Sequence, residues 1–357
     1  MNHHKKIKAL LCVLIVLIIC AGGVSYALMD AYSSIKANPM SAFVAAEPPK
    51  AGQDGVVPEK KQPTEMIDIN GQTYGKNPDT ISILMLGIDW DGSEEKDKTG
   101  ARSDMVMLCT IDVQNSNISF LSIPRDTRTK VHYCDKKTFE PIDKTCVTKI
   151  NHAYVLGGGN DPKKHGADNA MLATKELIEC EGQLNIPVDY YVSIDLEHLS
   201  GLADALGGVE VTLEQDYPDI GSKGDVVNLQ GNDVRLYLQN RKQMTGGEMD
   251  RQRHEQTFMM AIAKKVKDLG AVQAATKLFP QLSGNVIQTN LSIEQIVAMA
   301  GVLDKVGSID NIKLDRFEEN WQKFPDPIVK DPPKLDYFII DKDELLNKML
   351  NLYYTQM

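Results

Sequence analysis

The sequence predicts an α/β or α+β domain, with helices layered against a mixed sheet, carried behind one membrane-crossing segment. Three observations predict it. Apolar strand-like runs alternate with stretches of helical spacing through residues 66–357. A short polar turn at 114–117 makes two of those runs antiparallel neighbours. An uncharged apolar run extends from Ala9 to Met29. The 357 residues are 42% hydrophobic and 25% charged, with 26 Gly and 16 Pro, which excludes a collagen-like or wholly disordered chain. Acidic residues (49) outnumber basic ones (39), so the formal charge of -10 disfavours a protein that coats a nucleic acid.

In chain order, Lys5, Lys6 and Lys8 precede the Ala9–Met29 run, and the first acidic residue is Asp30. At about 1.5 Å per residue the run is roughly 31 Å long, enough to cross the ~30 Å hydrocarbon layer. The charge asymmetry puts residues 1–8 in the cytoplasm and the rest outside, a single-pass topology in the cell membrane. A cleaved signal peptide is the competing reading, given the small residues Gly22, Gly23, Ser25 and Ala27. The length of the apolar run favours a retained helix at 9–29. Residues 30–65, with Pro39, Pro48, Pro49, Pro58 and Pro63, read as a tether. Residues 66–357 then form the extracytoplasmic domain.

That domain opens with Ile67–Tyr74, which alternates apolar and polar residues around Asn70-Gly71 as a hairpin does. Ile81–Ile88, Met105–Val113 and Ile118–Ile123 read as strands. If the first pairs antiparallel with the second, one sheet edge collects Asp89, Arg102, Asp104, Arg125 and Asp126. Ala167–Glu181 reads as a helix, Val188–Ile194 as a strand, and Asp195–Leu206 as a helix ended by Gly207-Gly208. Val209–Leu213 is another strand. Asp250 is a good helix cap before Phe258, Ile262, Val266 and Leu269 at helical spacing. Leu291–Val306 and Asp343–Tyr354 are helices, and Ile312–Leu314 and Tyr337–Ile340 short strands.

The chemistry follows the arginines. Seven of the eight fall in two windows, at 102, 125 and 128 and at 235, 241, 251 and 253, with Arg316 apart. A guanidinium grips phosphate or carboxylate with a planar fork that lysine lacks. Two segregated windows suggest one anion site built from two chain segments, against the plainer alternative of scattered surface ion pairs. Asp89 and Asp104 are the metal candidates, because magnesium takes one or two carboxylates and completes its shell with water and phosphate oxygens. Turn capping is the alternative for each. In Ser122-Ile123-Pro124-Arg125-Asp126-Thr127-Arg128, Arg125 is placed to clamp a diphosphate and Asp126 to orient a guanidinium from behind. His152 reads as a satisfied histidine at a helix start, with a catalytic role as the alternative. Cys134 and Cys146 flank a charged loop in a compartment that permits disulfides, and a bridge is expected between them. No zinc spacing, P-loop or helix-turn-helix pattern occurs, so neither zinc nor nucleic acid is expected.

Seven blocks then appear in order across residues 80–265. They are LGID at 86–89, ARSD at 101–104, SIPRDT at 122–127, KINHAY at 149–154 with glycines after it, DYYV at 189–192, DALGGV at 204–209, and the late arginine-rich segment. Together they resemble the LytR-CpsA-Psr family. The resemblance implies an α-β-α sandwich with a central mixed sheet, and a magnesium-dependent phosphotransferase of Gram-positive envelopes. Such an enzyme moves a teichoic acid or capsular polysaccharide from a polyprenyl diphosphate carrier to a peptidoglycan hydroxyl. It assigns the magnesium ligands to Asp89 and Asp104 and the diphosphate contacts to Arg102, Arg125, Arg241 and Arg251, with the lipid tail in an apolar tunnel. Gln239-Asn240-Arg241 stands where the family usually shows Arg-x-Arg, so one clamp is lost or supplied by Arg235 or Arg253. Gln239, Arg128, Arg241, Arg251 and Arg253 thus make up the substrate-binding set, beside Arg102, Arg125 and Asp126 at the reacting centre. Whether Arg253 or His254 takes the family's second late position stays open, and Arg128 replaces a commoner aromatic or aliphatic residue.

Overall fold

The computed structural model describes residues 39–43, 63, 65–89, 101–113, 115, 117–158, 165–195, 199–239, 287–292, 312–329 and 333–357, with isolated positions between 254 and 299. The 9–29 run, most of the 30–65 tether, Arg241, Arg251 and Arg253 lie outside the described residues. Among those described, no helix is long and apolar enough to cross a membrane.

Met66–Ile69 (β1) and Gln72–Lys76 (β2) form the predicted hairpin, paired from Met66↔Gly75 to Ile69↔Gln72. Both turn residues take left-handed backbone, Asn70 at φ 51° and Gly71 at φ 79°, which Asn-Gly adopts at least cost. Thr80–Asp89 (β3), Arg102–Asp112 (β4) and Asn117–Ile123 (β5) make an antiparallel meander. β3 is buried from Ile81 to Ile88, so its sequence is a continuous apolar run with no alternation. β4 begins three residues earlier than the apolar pattern suggests, because the polar Ser103 and Asp104 are themselves buried strand residues.

Arg128–Cys134 (β6) and Pro141–Lys149 (β7) form a hairpin. β7 is largely solvent-facing, so no apolar stripe marked it in the sequence. The hairpin also corrects the expected disulfide: Cys146 faces Val131, whereas Cys134 faces Pro141. Three residues of strand, about 10 Å, separate Cys134 from the partner of Cys146, beyond the ~7 Å reach of a bridge. Both are free thiols. His152–Leu156 (α1) and Gly166–Ile178 (α2) follow. A Cβ on Gly157 would meet the His165 carbonyl oxygen at 2.2 Å, so only glycine lets the chain pass from α1 so close to the start of α2.

The remaining elements are Tyr190–Asp195 (β8), Leu199–Ala205 (α3), Val209–Thr212 (β9), Val226–Leu229 (β10), Asn232–Gln239 (α4) and Ile287–Thr289 (β11). After them come Ile312–Arg316 (β12), Trp321–Phe324 (β13), Leu335–Phe338 (β14), Lys342–Tyr353 (α5) and Tyr354–Gln356 (β15). The Asp341 carboxylate accepts from the backbone N–H groups of Asp343 and Glu344 and starts α5.

The fold is mixed α/β with a central mixed sheet, and the chain divides into two compact units. One contains Phe43–Ser193 and Leu314–Met357. Its sheet runs β8-β3-β4-β5-β12. Leu84, Leu86, Ile88, Val106, Leu108, Leu121 and Ile123 on one face pack against Ala153, Tyr154, Ala170 and Ala173 of α1 and α2 and Leu345, Met349 and Tyr353 of α5. The Tyr353 hydroxyl reaches Ser82 Oγ at 2.9 Å and accepts from Thr110 Oγ1 at 3.0 Å, fixing α5 to β3 and β4. The other unit contains Ile194–Lys313. There β9 pairs antiparallel with β10, and Tyr217, Tyr237 and His254 form a ring cluster with centroids 5.2–5.7 Å apart.

Candidate active site

Register alone brings the predicted residues to one sheet edge. Leu86, Val106 and Ile123 form a row across β3, β4 and β5. Two positions beyond that row on each strand stand Ile88, Asp104 and Arg125, with Asp89 one step further and directly opposite Arg102. Between Gly87↔Met105 and Ile88↔Ser103 the register shifts by one residue, and the extra residue is Asp104. Such a bulge turns the side chain of the surplus residue out of the normal alternation, which is how bulges re-aim groups beside active sites. Asp104, only 5% exposed, uses that freedom to ion-pair with Arg125 through its Oδ2. Asn151 Nδ2 donates to its Oδ1 at 3.4 Å.

The turn after β5 is held from two sides. Thr127 N–H donates to the Pro124 carbonyl at 2.9 Å, closing the turn. Ile150 N–H donates to the Thr127 carbonyl at 2.9 Å and Asn151 N–H to the Arg125 carbonyl at 3.2 Å. Phe338 N–H of β14 donates to the Asp126 carbonyl at 3.0 Å. Asp126 sits behind Arg125 as the sequence suggested, 3.6 Å from its Nε. Its other oxygen accepts from Lys149 Nζ at 2.6 Å. Arg125 is therefore flanked by two carboxylates, and its partner Asp126 is itself neutralised by a lysine. These partners fix the direction of the guanidinium.

Next to this edge lies a buried polar chain. Asp326 accepts at Oδ1 from the backbone N–H groups of Ile328 and Val329, both at 2.7 Å. Its Oδ2 accepts from the Tyr337 hydroxyl and, at 2.7 Å, from Thr148 Oγ1. Burial opposes ionisation of Asp326, but the hydrogen bonds from Tyr337, Thr148, Val329 and Ile328 outweigh it and hold the carboxyl down at about 2. Burial, with the Asp326 charge beside it, pushes the Tyr337 hydroxyl well above the ordinary phenol range. His152 Nδ1 lies 2.7 Å from Thr148 Oγ1. Burial above all, together with the Arg102 and Lys149 charges, lowers the imidazole to about 4 against the carboxylates of Asp326 and Asp126, which act to raise it.

The remaining predicted residues distribute as follows. Arg102 is exposed at the start of β4. Arg128 stands apart: its guanidinium lies 4.4 Å above the Phe324 ring centroid. It lines a cavity of about 750 Å³ with Lys130, Glu176, Ile340 and Lys342, a lining that includes none of Asp89, Asp104 or Arg125. Gln239 closes α4. His254 is 2% exposed, and its ring meets the Tyr217 hydroxyl at 3.1 Å, so packing in the core accounts for it. Sequence reasoning missed Lys149 and Asn151, although both stand in the KINHAY block. It also missed Thr148, Asp326 and Tyr337, for which no sequence signal existed: Asp326 is 178 residues from Thr148.

Magnesium fits the donor set in one form only. Among the described residues no group of three or more His, Cys, Asp or Glu side chains gathers as a metal cage. Asp89 and Asp104 on adjoining strands suit an ion that takes two carboxylates and draws its remaining oxygens from water and substrate phosphate. Asn151 Oδ1 is buried without a hydrogen-bond partner, an acceptor placed for a water of such a shell.

Comparison with known proteins identifies relatives of the chain and of its fold. The TagU polyisoprenyl-teichoic acid--peptidoglycan teichoic acid transferase of Bacillus cereus (strain AH820) is 29% identical over 232 residues. That match spans 64% of this chain and 66% of the relative, just under two thirds of its length. Protein gbs0355 from Streptococcus agalactiae shares the fold at a TM-score of 0.59 and 23% identity, over 76% of this chain and 87% of that one. TagT bound to LIIa-WTA does so at 0.53 and 21%, over 77% and 90%. The profile of the LytR_cpsA_psr family matches residues 50–349, which includes every strand and loop of the sheet edge just described, and the chain belongs to that family.

Proposed function

We propose that this protein is a membrane-anchored phosphotransferase that moves a glycopolymer of the teichoic acid or capsular polysaccharide type from a polyprenyl diphosphate carrier to a peptidoglycan hydroxyl. The observation that carries this reading is the meeting of Asp104, Arg125 and Asn151 at the sheet edge that Asp89 and Arg102 share. The name of the Bacillus cereus relative, a teichoic acid transferase, and the LIIa-WTA bound to TagT support the donor class. Residues 9–29 serve as the anchor, and the catalytic domain, an α-β-α sandwich, works outside the membrane.

Phosphoryl transfer demands positioning and charge stabilisation more than covalent chemistry from the protein. The diphosphate displaces Asp104 from the Arg125 fork, because phosphate oxygens carry more charge and match the same planar geometry. Asp126, neutralised by Lys149, keeps the guanidinium aimed while its partner changes. Arg102 adds positive charge from the facing strand position. The resemblance adds Arg241 and Arg251 as further diphosphate contacts. Asp89 and Asp104 would hold magnesium, which when bound neutralises phosphate oxygens as negative charge shifts onto the leaving polyprenyl phosphate.

The test is incubation of the detergent-extracted full chain with a polyprenyl-diphosphate glycan, with and without peptidoglycan fragments. A glycan–peptidoglycan phosphodiester is the expected product. Release of glycan phosphate to water alone would instead identify a hydrolase of the same carrier.

A further inference from the structure

The Thr148–Asp326 hydrogen bond settles which nitrogen of His152 carries the proton. Thr148 has a single hydroxyl proton, and Asp326, with a carboxyl held ionised at about 2, can only accept. The proton of Thr148 therefore goes to Asp326 Oδ2, 2.7 Å away. The Thr148 oxygen must then accept from His152 Nδ1 at 2.7 Å. His152 is the Nδ1–H tautomer, and its Nε2 carries a lone pair. All four members of the chain are buried: Thr148 and Tyr337 at 0% exposure, His152 and Asp326 at 4%. A buried chain in which each donor is matched to an acceptor holds the ring in one orientation.

That lone pair can accept a hydrogen bond. The charged groups acting on His152 besides Asp326 are Arg102, Lys149 and Asp126, all at the site described above, and His152 directly follows Asn151, the residue bonded to Asp104. A diphosphate at neutral pH offers oxygen acceptors and almost no O–H. Of the two substrates, the one that arrives with a proton to give is the acceptor, through its hydroxyl.

We propose that His152 Nε2 binds the acceptor hydroxyl and takes its proton during transfer. This rests on the transferase reading and supplies the base that the reading lacks. In the step, the acceptor oxygen forms a bond to the glycan-side phosphorus, and its O–H bond breaks as the proton passes to Nε2. The P–O bond to the bridging oxygen breaks, and its electron pair leaves on the polyprenyl phosphate. The imidazolium so formed keeps its Nδ1–H on Thr148, with the Asp326 carboxylate 3.8 Å away to offset the new charge. It returns the proton to water after the products leave.

The experiment compares wild-type full chain with His152→Ala and His152→Gln, using a polyprenyl-diphosphate disaccharide as donor and uncross-linked peptidoglycan strands as acceptor. Both variants should lose about a hundredfold or more in transfer rate, the range for a general base, while binding the donor within about threefold of wild type. Added imidazole should restore transfer to His152→Ala, whose vacated site can admit it, and should leave wild type unchanged. A structural histidine would give no such rescue. Transfer by His152→Ala within about threefold of wild type overturns the proposal and leaves the transferase reading standing. Loss of transfer with parallel loss of donor binding and no imidazole rescue also overturns it. Wild-type protein that forms no phosphodiester fails the transferase reading, and the role of His152 falls with it.

Discussion

Asp104, the bulge residue of β4, is ion-paired with Arg125 in the turn that follows β5. The Asp104 side chain is 5% exposed and that of Arg125 17%. Both groups are thus largely desolvated, and removing one weakens the compensation of the other's charge. On the proposed reading, a diphosphate would take the place of Asp104 in the fork of Arg125, and Asp104 would be free to hold magnesium. On that reading the ion pair would be the resting form of the site.

Arg125→Ala should lower transfer by about three orders of magnitude, as loss of a transition-state charge partner does. Arg125→Lys should recover little, since an ammonium keeps the charge and loses the fork. Thermal unfolding should still be cooperative, with a melting temperature reduced by several degrees because the buried Asp104 loses its ion pair with Arg125. Measurement of phosphodiester product beside calorimetry checks both, and near-normal transfer in Arg125→Ala would remove the residue from the site.

Asp89→Asn and Asp104→Asn separate catalysis from a binding or regulatory role. Wild-type transfer should vanish on chelation and return with magnesium. Each variant should need about tenfold or more magnesium for half-maximal rate, the usual scale for losing one carboxylate contact. Transfer indifferent to chelator would exclude the metal, and full complementation in cells by both variants would favour the non-catalytic role.

Much of this was legible because burial on both faces writes a strand as an unbroken apolar run. Ile81–Ile88 is such a run, and Asn70-Gly71 and the polar turn at 114–117 supplied the connections. The shared edge then followed from antiparallel pairing. The bulge at Asp104 did not, because no pattern distinguishes a buried Ser103-Asp104 inside a strand from a polar loop before one. The β6–β7 hairpin was hidden by its exposed, charged surface. The His152 chain was hidden for another reason: its members are ordinary polar residues until the fold brings positions 148, 152, 326 and 337 together.

Gly157→Ala should destabilise the protein by about 2 kcal/mol or more, since its Cβ would collide with backbone that cannot move as a flexible side chain does. The collision is with the His165 carbonyl, at 2.2 Å. The displaced segment also carries Asn169, whose Nδ2 donates to the Ala153 carbonyl at 2.8 Å, so α1 and the adjoining His152 should shift with it. Denaturant unfolding measures the first effect and the transfer rate the second. A variant as stable as wild type would show that the close passage relaxes freely.

The buried chain also predicts how stability should depend on pH. In the unfolded chain His152 takes up a proton near its ordinary value of 6.5, but in the folded protein only near 4. Between those limits the unfolded state binds more protons, so stability falls as pH falls through the window and is unaffected above it. The difference amounts to about 3 kcal/mol for this one group. Asp326 acts in the next window down. Its folded carboxyl sits at about 2 against an ordinary 3.8, so the stability it contributes is complete above the ordinary value and is lost as pH drops toward 2. Melting temperature followed from pH 7 to pH 3 should therefore fall in two stages for the wild type. His152→Gln cannot take up the proton responsible for the first stage, so its curve should begin lower, run flatter between 6.5 and 4, and then fall in parallel with the wild type. Curves of identical slope throughout would mean that His152 protonates as readily in the folded protein as outside it, and that its burial does not oppose the charge.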